Sequence, residues 1–429
     1  MSFQKWHLVL LLLALSPTLT QASEQRLKKS LKEHNYENVA KYLKKSPVGM
    51  SKLKKLGKRY RSSPLVRAVN ATNKMTHIAK DLKLSSKKFV QSAFFCETSP
   101  ITYGMKESRF FDKRKTGLPH SIEYDATTHN HFVLLDGKKA ILGKGKRKVV
   151  KKAILYDHIR PKVLARAEEQ EDDKTELLIT KALQGKIGLF KTHALCRMKH
   201  DKKIYNSYYS TIYRSGSLQS VFKRGDPLSP FEKLQIASQL LQGLHSMHAN
   251  KIVHCDLGAR NYLVNIPEGA PGRRAVRACI ADFGRAKFIK GIKTLRRVQG
   301  NTSYTAPEGL HPKRLHPTDY YHTDVFALGC VFYHLFYGQK APWQDISYVK
   351  DTSRPLHVRY DELVSLLKQH TEARREALAA KADATGLSSE EKFEQLLLSM
   401  LHLDPKKRGQ SAELSEKMKN IYQQAKLSM

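Results

Sequence analysis

Cysteine is scarce and scattered in this 429-residue chain, which has only Cys96, Cys196, Cys255, Cys279 and Cys330. An odd set with no C-x-x-C spacing indicates neither a zinc site nor a disulfide framework. Cys255, Cys279 and Cys330 stand in apolar or motif-bearing surroundings, where a reduced, buried thiol is expected. Acidic residues are also few: 39 Asp+Glu face 76 Lys+Arg, a formal net charge of +37. That excess predicts attraction to polyanions such as nucleic acid, anionic membrane or acidic protein faces, with a solvated basic surface as the plain alternative. Beyond the N-terminus no apolar run is long enough to span a bilayer. No internal repeat is visible. The length allows two or three domains, each with a proper core.

The N-terminus has its own pattern. Lys5 precedes an apolar run from Leu8 to Leu15, followed by Ser16-Pro17 and Thr20-Gln21-Ala22-Ser23. A basic start, a short apolar core and small residues at a T-x-A site read as a secretory signal peptide over residues 1–22, cleaved after Ala22; an uncleaved anchor is the alternative. Residues 23–129 form a basic, mainly helical extension and linker. From 23 to about 90 they hold nineteen Lys/Arg against four Asp/Glu, with Leu27, Leu31, Leu43, Leu53 and Leu56 at loose helical spacing. This extension is the candidate contact for a polyanion or an anionic membrane, without a specific nucleic-acid motif.

From about 131 the pattern turns strand-like: His131 to Leu135 reaches Asp136-Gly137, a hairpin signal, before Leu142-Gly143-Lys144-Gly145. From 229 it turns helical. Ser229-Pro230-Phe231-Glu232 combines an N-cap serine, a proline at the first helical position and a capping-box glutamate. Leu234, Ala237, Leu240, Leu244 and Met247 then line one face and lead into Ile252-Val253-His254.

Three ordered strings carry the chemistry: His254-Cys255-Asp256-Leu257-Gly258-Ala259-Arg260-Asn261, then Asp282-Phe283-Gly284, then Ala306-Pro307-Glu308. Phosphoryl transfer from ATP needs a carboxylate beside the attacking hydroxyl and oxygen ligands that hold Mg²⁺ on the phosphates. Asp256 suits the first role; Asn261 and Asp282 offer the hard oxygens that suit the second. The strings resemble the catalytic loop, metal-binding loop and activation-segment end of the protein kinases. Thr323-Asp324-Val325-Phe326 resembles the family helix whose aspartate holds the catalytic-loop backbone, and Arg408 is the arginine expected to pair with Glu308.

The resemblance implies an α+β, bilobal fold over residues 130–425, with a small β-rich lobe to about 209 and a helical lobe from about 214. It implies ATP and Mg²⁺ as the nucleotide and metal, and a protein substrate. Gly143, Gly145 and Val150 look like the front of a glycine-rich loop, although Arg147 and Lys148 stand where the family has an aromatic and a third glycine. For the strand cation that holds the phosphates, Lys162 and Arg166 compete. Glu176 resembles the paired glutamate of the next helix; Lys162 lies fourteen residues before it and Arg166 ten, so spacing favours Lys162. A compact ammonium also suits the role better than a guanidinium fork. Ser210-Thr211-Ile212-Tyr213 resembles the hinge, with Thr211 and Tyr213 beside the adenine.

Three departures bear on regulation and specificity. Cys255 replaces the arginine that usually answers a phosphorylated activation segment. Asp256-Leu257-Gly258-Ala259-Arg260-Asn261 looks like the tyrosine-kinase form of the loop, with Gly258 where the serine/threonine form has lysine and Arg260 as a substitute cation. Residues 266–278 form an insertion marked as an exposed turn by Pro267, Gly269, Pro271 and Gly272. The reading is a protein kinase, Ser/Thr before Tyr; the alternative is a pseudokinase that keeps the fold as a binding module. Secretion conflicts with the need for ATP, leaving a host-cell cytosol or an ATP-containing lumen as sites of action.

Overall fold

A computed structural model of the chain describes residues 108–428, apart from 112–119, 126–127, 129, 146–147, 157–160, 171–173, 201–202, 273, 292–301, 311–318 and 345–352. Residues 1–22, expected to be a signal peptide, and nearly all of the basic extension lie outside the described residues. Two compact units form: one from residues up to Asp172 with His193–Ile212, the other from Asp173–Thr192 with Tyr213–Met429.

The first unit is a sheet of β1 (Ser108–Phe111), β2 (Ile122–Asp125), β3 (Asn130–Leu134), β4 (Ile141–Lys144), β5 (Lys148–Tyr156), β6 (Lys162–Gln170), β7 (Thr192–His200) and β8 (Lys203–Ser210). Its order is β1-β2-β3-β5-β6-β8-β7, with β4 pairing onto β5. The expected boundary at 130 is therefore too late. β1 and β2 pair with each other, and β2 continues onto β3, so the sheet starts by Ser108. The residues of β2, Ile122-Glu123-Tyr124-Asp125, alternate apolar and polar although all four are buried, but four residues are a short window for that signal. One face packs Phe132, Ala153, Leu155, Leu164, Ala194 and Tyr209, with the Phe132 and Tyr209 rings stacked at 3.7 Å.

The second unit is helical: α1 (Thr175–Ala182), α2 (Leu218–Arg224), α3 (Pro230–Ala249), α4 (Pro307–Leu310), α5 (Asp319–Tyr337), α6 (Leu356–Thr385), α7 (Ser389–Met400) and α8 (Ser411–Leu427). Short ribbons add β9 (Gly216–Ser217), β10 (Ile252–Val253), β11 (Tyr262–Asn265), β12 (Arg277–Ile280) and β13 (Lys287–Phe288). The capping box of α3 forms as expected: Ser229 Oγ accepts the Glu232 N–H at 3.2 Å and Glu232 Oε2 accepts the Ser229 N–H at 3.0 Å. The apolar face of α3 then enters a core shared with Phe283, Phe326, Phe332, Trp343 and Leu397. α1 belongs to this unit too, through Ile179 and Leu183 in the same core, and not to the small lobe where the sequence placed it. Gly188, at φ +72°, lets the preceding turn touch α3 backbone to backbone; a Cβ there would lie 2.3 Å from Gln239 O and Gly243 N.

Candidate active site

The catalytic string is held from beneath by Asp324, buried on α5. Its Oδ2 accepts the His254 N–H at 2.7 Å and its Oδ1 accepts the Cys255 N–H at 3.0 Å. His248 Nε2 lies 3.2 Å from the same carboxylate, and its Nδ1 meets Ser411 Oγ at 3.0 Å. This grip holds Cys255 at φ 61°, a left-handed backbone that a non-glycine residue adopts only when its surroundings impose it. His254 is fully buried, hydrogen-bonded through Nε2 to Ala281 O at 3.1 Å, and edge-on to Phe283.

From that base the loop presents its functional groups. Asn261 donates from Nδ2 to the Asp256 carbonyl at 2.7 Å, and its own carbonyl accepts the Ala281 N–H at 2.8 Å. The amide nitrogen is thus spent on the loop, and Oδ1 is the side-chain atom suited to ligate a cation. Asp282 is exposed at φ 63°, between the buried Ala281 and Phe283. An amide oxygen and a carboxylate fit Mg²⁺, which takes few protein ligands and shares phosphate oxygens. Among the described residues no cluster of three or more His, Cys, Asp or Glu offers a full metal cage.

Asp256 has cationic neighbours. Arg260 Nη2 donates to both its carboxylate oxygens, at 2.9 and 2.7 Å, and Arg285 Nε stands 3.8 Å away. The substitute cation expected at Arg260 is therefore beside the carboxylate. Gly258, where the serine/threonine form has lysine, lies against the Tyr304 ring; a Cβ there would meet Tyr304 Cε2 at 2.9 Å. Cys255 has an apolar setting, in a buried cluster with Val253 and Tyr320 flanked by Ile289 and Tyr321. Burial, with the Asp324 carboxylate beside it, drives its thiol well above the usual range.

Arg408 is fully buried and all its N–H groups are used. It forms a fork with Glu308 at 2.6 and 2.8 Å and donates to the carbonyls of His402, His322 and Leu403. The 266–278 insertion is also tied down. Glu232 accepts from Arg274 at 2.7 and 2.8 Å and from the Gly272 N–H at 3.1 Å, while Ser229 Oγ donates to Gly272 O. The sequence marked the turn but missed this anchor; Arg274, a cation of that turn, was its signal.

In the strand unit, Gly143 pairs with Val150 and the Gly145 N–H bonds to Lys148 O at 2.8 Å, closing a tight β4–β5 turn. Thr211 Oγ1 meets His193 Nε2 at 3.1 Å. Tyr213, in the helical unit, hydrogen-bonds Cys279, whose thiol burial pushes up to about 12 although that bond favours the thiolate. Lys162 does not reach the glycine turn. It is the exposed first residue of β6, opposite Leu155, five residues along β5 from Val150, or about 17 Å at ~3.3 Å per residue. Glu176, fourteen residues on, sits in the first turn of α1. Arg166 is no substitute. It is buried with Glu123 at 3.0 Å and Tyr209 at 3.1 Å, and bonds Glu168 at 2.5 Å.

A family model described as "Protein kinase domain" matches residues 137–418. Similar curated proteins include mitogen-activated protein kinase kinase kinase 1b of Physcomitrium patens, 29% identical over 152 residues, covering 34% of this chain and 17% of that protein. Serine/threonine-protein kinase 17A of Oryctolagus cuniculus is 24% identical over 204 residues, 46% of this chain and 49% of the relative. The serine/threonine-protein kinase/endoribonuclease ire-1 of Caenorhabditis elegans is 35% identical over 106 residues, 23% of this chain and 10% of the relative. The chain thus spans half or less of the length of these relatives.

Proposed function

Since this chain belongs to the protein kinase superfamily, we propose that it transfers the γ-phosphoryl group of ATP to a serine or threonine hydroxyl of a protein substrate. The observation that carries this reading is the bonded set linking Asp256, Asn261 and the strand before Asp282, all resting on Asp324. Such a set fixes a carboxylate and two metal-ligating oxygens on one backbone framework. In the proposed step the acceptor oxygen bonds to the γ-phosphorus while the bond to the bridging oxygen breaks. ADP leaves and the hydroxyl proton passes to Asp256. Mg²⁺, when bound, offsets charge on the phosphate oxygens. Asn261 and Asp282 would hold it; Arg260 and Arg285 flank Asp256, where they can offset incoming phosphate charge.

The Ser/Thr assignment rests on the names of the similar proteins, while the loop sequence through Arg260 looks like the tyrosine form. Incubation with [γ-³²P]ATP, Mg²⁺ and protein substrates, followed by phosphoamino-acid analysis, tests both transfer and acceptor. Label on serine or threonine that is lost in Asp282→Asn is the expected result. Nucleotide binding without transfer would make the chain a pseudokinase scaffold. We further propose export through residues 1–22 and a polyanion or anionic-membrane contact through the basic extension. N-terminal sequencing of the mature protein, and vesicle co-sedimentation with and without residues 23–107, test these two points.

A further inference from the structure

The strand unit has to offer a cation to the nucleotide's phosphates, and neither residue singled out by the sequence can do so from its position. The antiparallel register says which residue can. Directly paired residues point to the same face of a sheet, and neighbours along a strand alternate. Gly143, Val150, Ala167 and Tyr208 form one such row across β4, β5, β6 and β8. Flanking rows on that face are Lys148 with Glu169 and Asn206, and Lys152 with Ala165 and Ser210. The opposite face carries Lys162, Leu164 and Arg166 with Leu155, Ala153 and Tyr209. Val150, which pairs with the glycine of the turn, therefore shares its face with an alanine on β6. The β6 position best placed to project a cation beside the turn is Ala167, which has none.

Lys148 stands one row nearer the turn on that same face, and its carbonyl closes the turn by accepting the Gly145 N–H. Its ammonium is 3.6 Å from Glu169 Oε2 and 5.6 Å from the centre of the Tyr208 ring. The Lys148 side chain is 18% exposed and that of Glu169 3%, so the pair is partly withdrawn from water. A buried carboxylate that pairs with a lysine at the end of a glycine turn offers the kind of support expected of Lys162 and Glu176, using residues directly paired on adjacent strands. An ammonium on a four-carbon stem acts as a point charge, so the strand that carries it can change if the head group still reaches the phosphates.

We propose that Lys148 is the residue of the strand unit that binds the ATP phosphates, with Glu169 as its positioning partner. This inference rests on the kinase reading above. Lys148 replaces the lysine that Ala167 lacks, and the third loop glycine is absent because that position now carries the cation.

The test is chemical labelling of the full chain with an acyl-phosphate derivative of ATP, whose acyl group transfers to a lysine amine lying against the phosphates. Peptide mass spectrometry then identifies the acylated residue. The expected result is labelling of Lys148, suppressed by excess ATP and reduced in Glu169→Gln. ATP-suppressible labelling of Lys144, Lys152 or Lys162 instead, or no suppressible labelling, overturns the proposal. In parallel, Lys148→Met should lower kcat/KM by about 100-fold, the scale for losing one preorganised charge at a reacting phosphate. Lys162→Met and Arg166→Met should spare the folded enzyme's rate to within a few fold. Ala167→Lys in the Lys148→Met background should recover part of the loss, a result that misfolding would not give. Full activity in Lys148→Met would sink the assignment while leaving the kinase reading intact. Absence of phosphoryl transfer in the wild-type chain, with Lys148 still labelled, would sink the kinase reading alone.

Discussion

The two units solve the problem of placing charge in opposite ways. In the helical unit several key side chains are bonded into buried supports: Asp324 under His254 and Cys255, Asn261 tied to the Asp256 carbonyl, Arg408 spread over Glu308 and the carbonyls of His402, His322 and Leu403. In the strand unit the functional turn is a two-strand hairpin on which lysines project from both faces. Buried networks fix both residue and position, because moving either leaves an unpaired polar group. A lysine head group on a long flexible stem is held less strictly. Chemistry based on carboxylate and amide stays in place; chemistry that needs only a positive point can change strands.

The largest expected effect comes from removing a fixed group. Asp282→Asn should lower phosphoryl transfer by about 1000-fold, since an amide supplies no charge to the metal. Its thermal melt should match the wild type, because Asp282 is exposed. Retained activity would show that the helical unit tolerates substitution as the strand unit does. Next is Arg408→Ala, which leaves Glu308 and several carbonyls without their donor. About 3–5 kcal/mol of stability should be lost, the scale for breaking one side of a buried pair, as read by urea denaturation. A loss below about 1 kcal/mol would place this pair with exposed bridges and weaken the contrast.

A smaller effect concerns acid. Glu232 is fully buried on α3; burial alone would raise its carboxyl, but Arg274 and the N–H groups of Ser229 and Gly272 hold it down to about 2. A carboxyl held below its ordinary value of 4.5 stabilises the fold above that value and loses the contribution as pH falls towards about 2. Chemical denaturation between pH 5 and 2 should show a slope in the wild type that is shallower in Glu232→Gln. Equal slopes would mean that the insertion is not anchored through this carboxylate.

The smallest expected effect is a near absence of one. Cys255, closed in by Val253 and Tyr320, offers no cation to a phosphate on the activation segment. Phosphatase-treated enzyme, checked by mass spectrometry, should keep its initial rate to within tenfold. A larger drop, restored by rephosphorylation, would show that another arginine had assumed the role.

The sequence made the helical unit legible for the same reason that the unit is rigid. Asp256, Asn261, Asp282, Asp324, Glu308 and Arg408 lie in short fixed strings, and the structure brings the last three into the expected bonds. The capping box at Ser229 was readable because it is a local rule. The strand unit was harder. β1 and β2 gain their meaning only by pairing, and a face assignment depends on a register that linear spacing does not contain. At Gly258 the Tyr304 ring fills the space that a lysine side chain would need.

The four described cysteines, Cys196 in the strand unit and Cys255, Cys279 and Cys330 in the helical one, are all free and buried. Each is therefore a built-in clock for local opening. A thiol shut away from solvent is alkylated only as fast as its surroundings part, and its raised pKa slows the reaction further. Timed alkylation of the native chain, read by mass spectrometry at each position, would follow the breathing of both units in one sample without introducing a label. Cys255 and Cys279, one beside Asp256 and one on the strand leading to Asp282, would report whether added ATP quiets the centre itself.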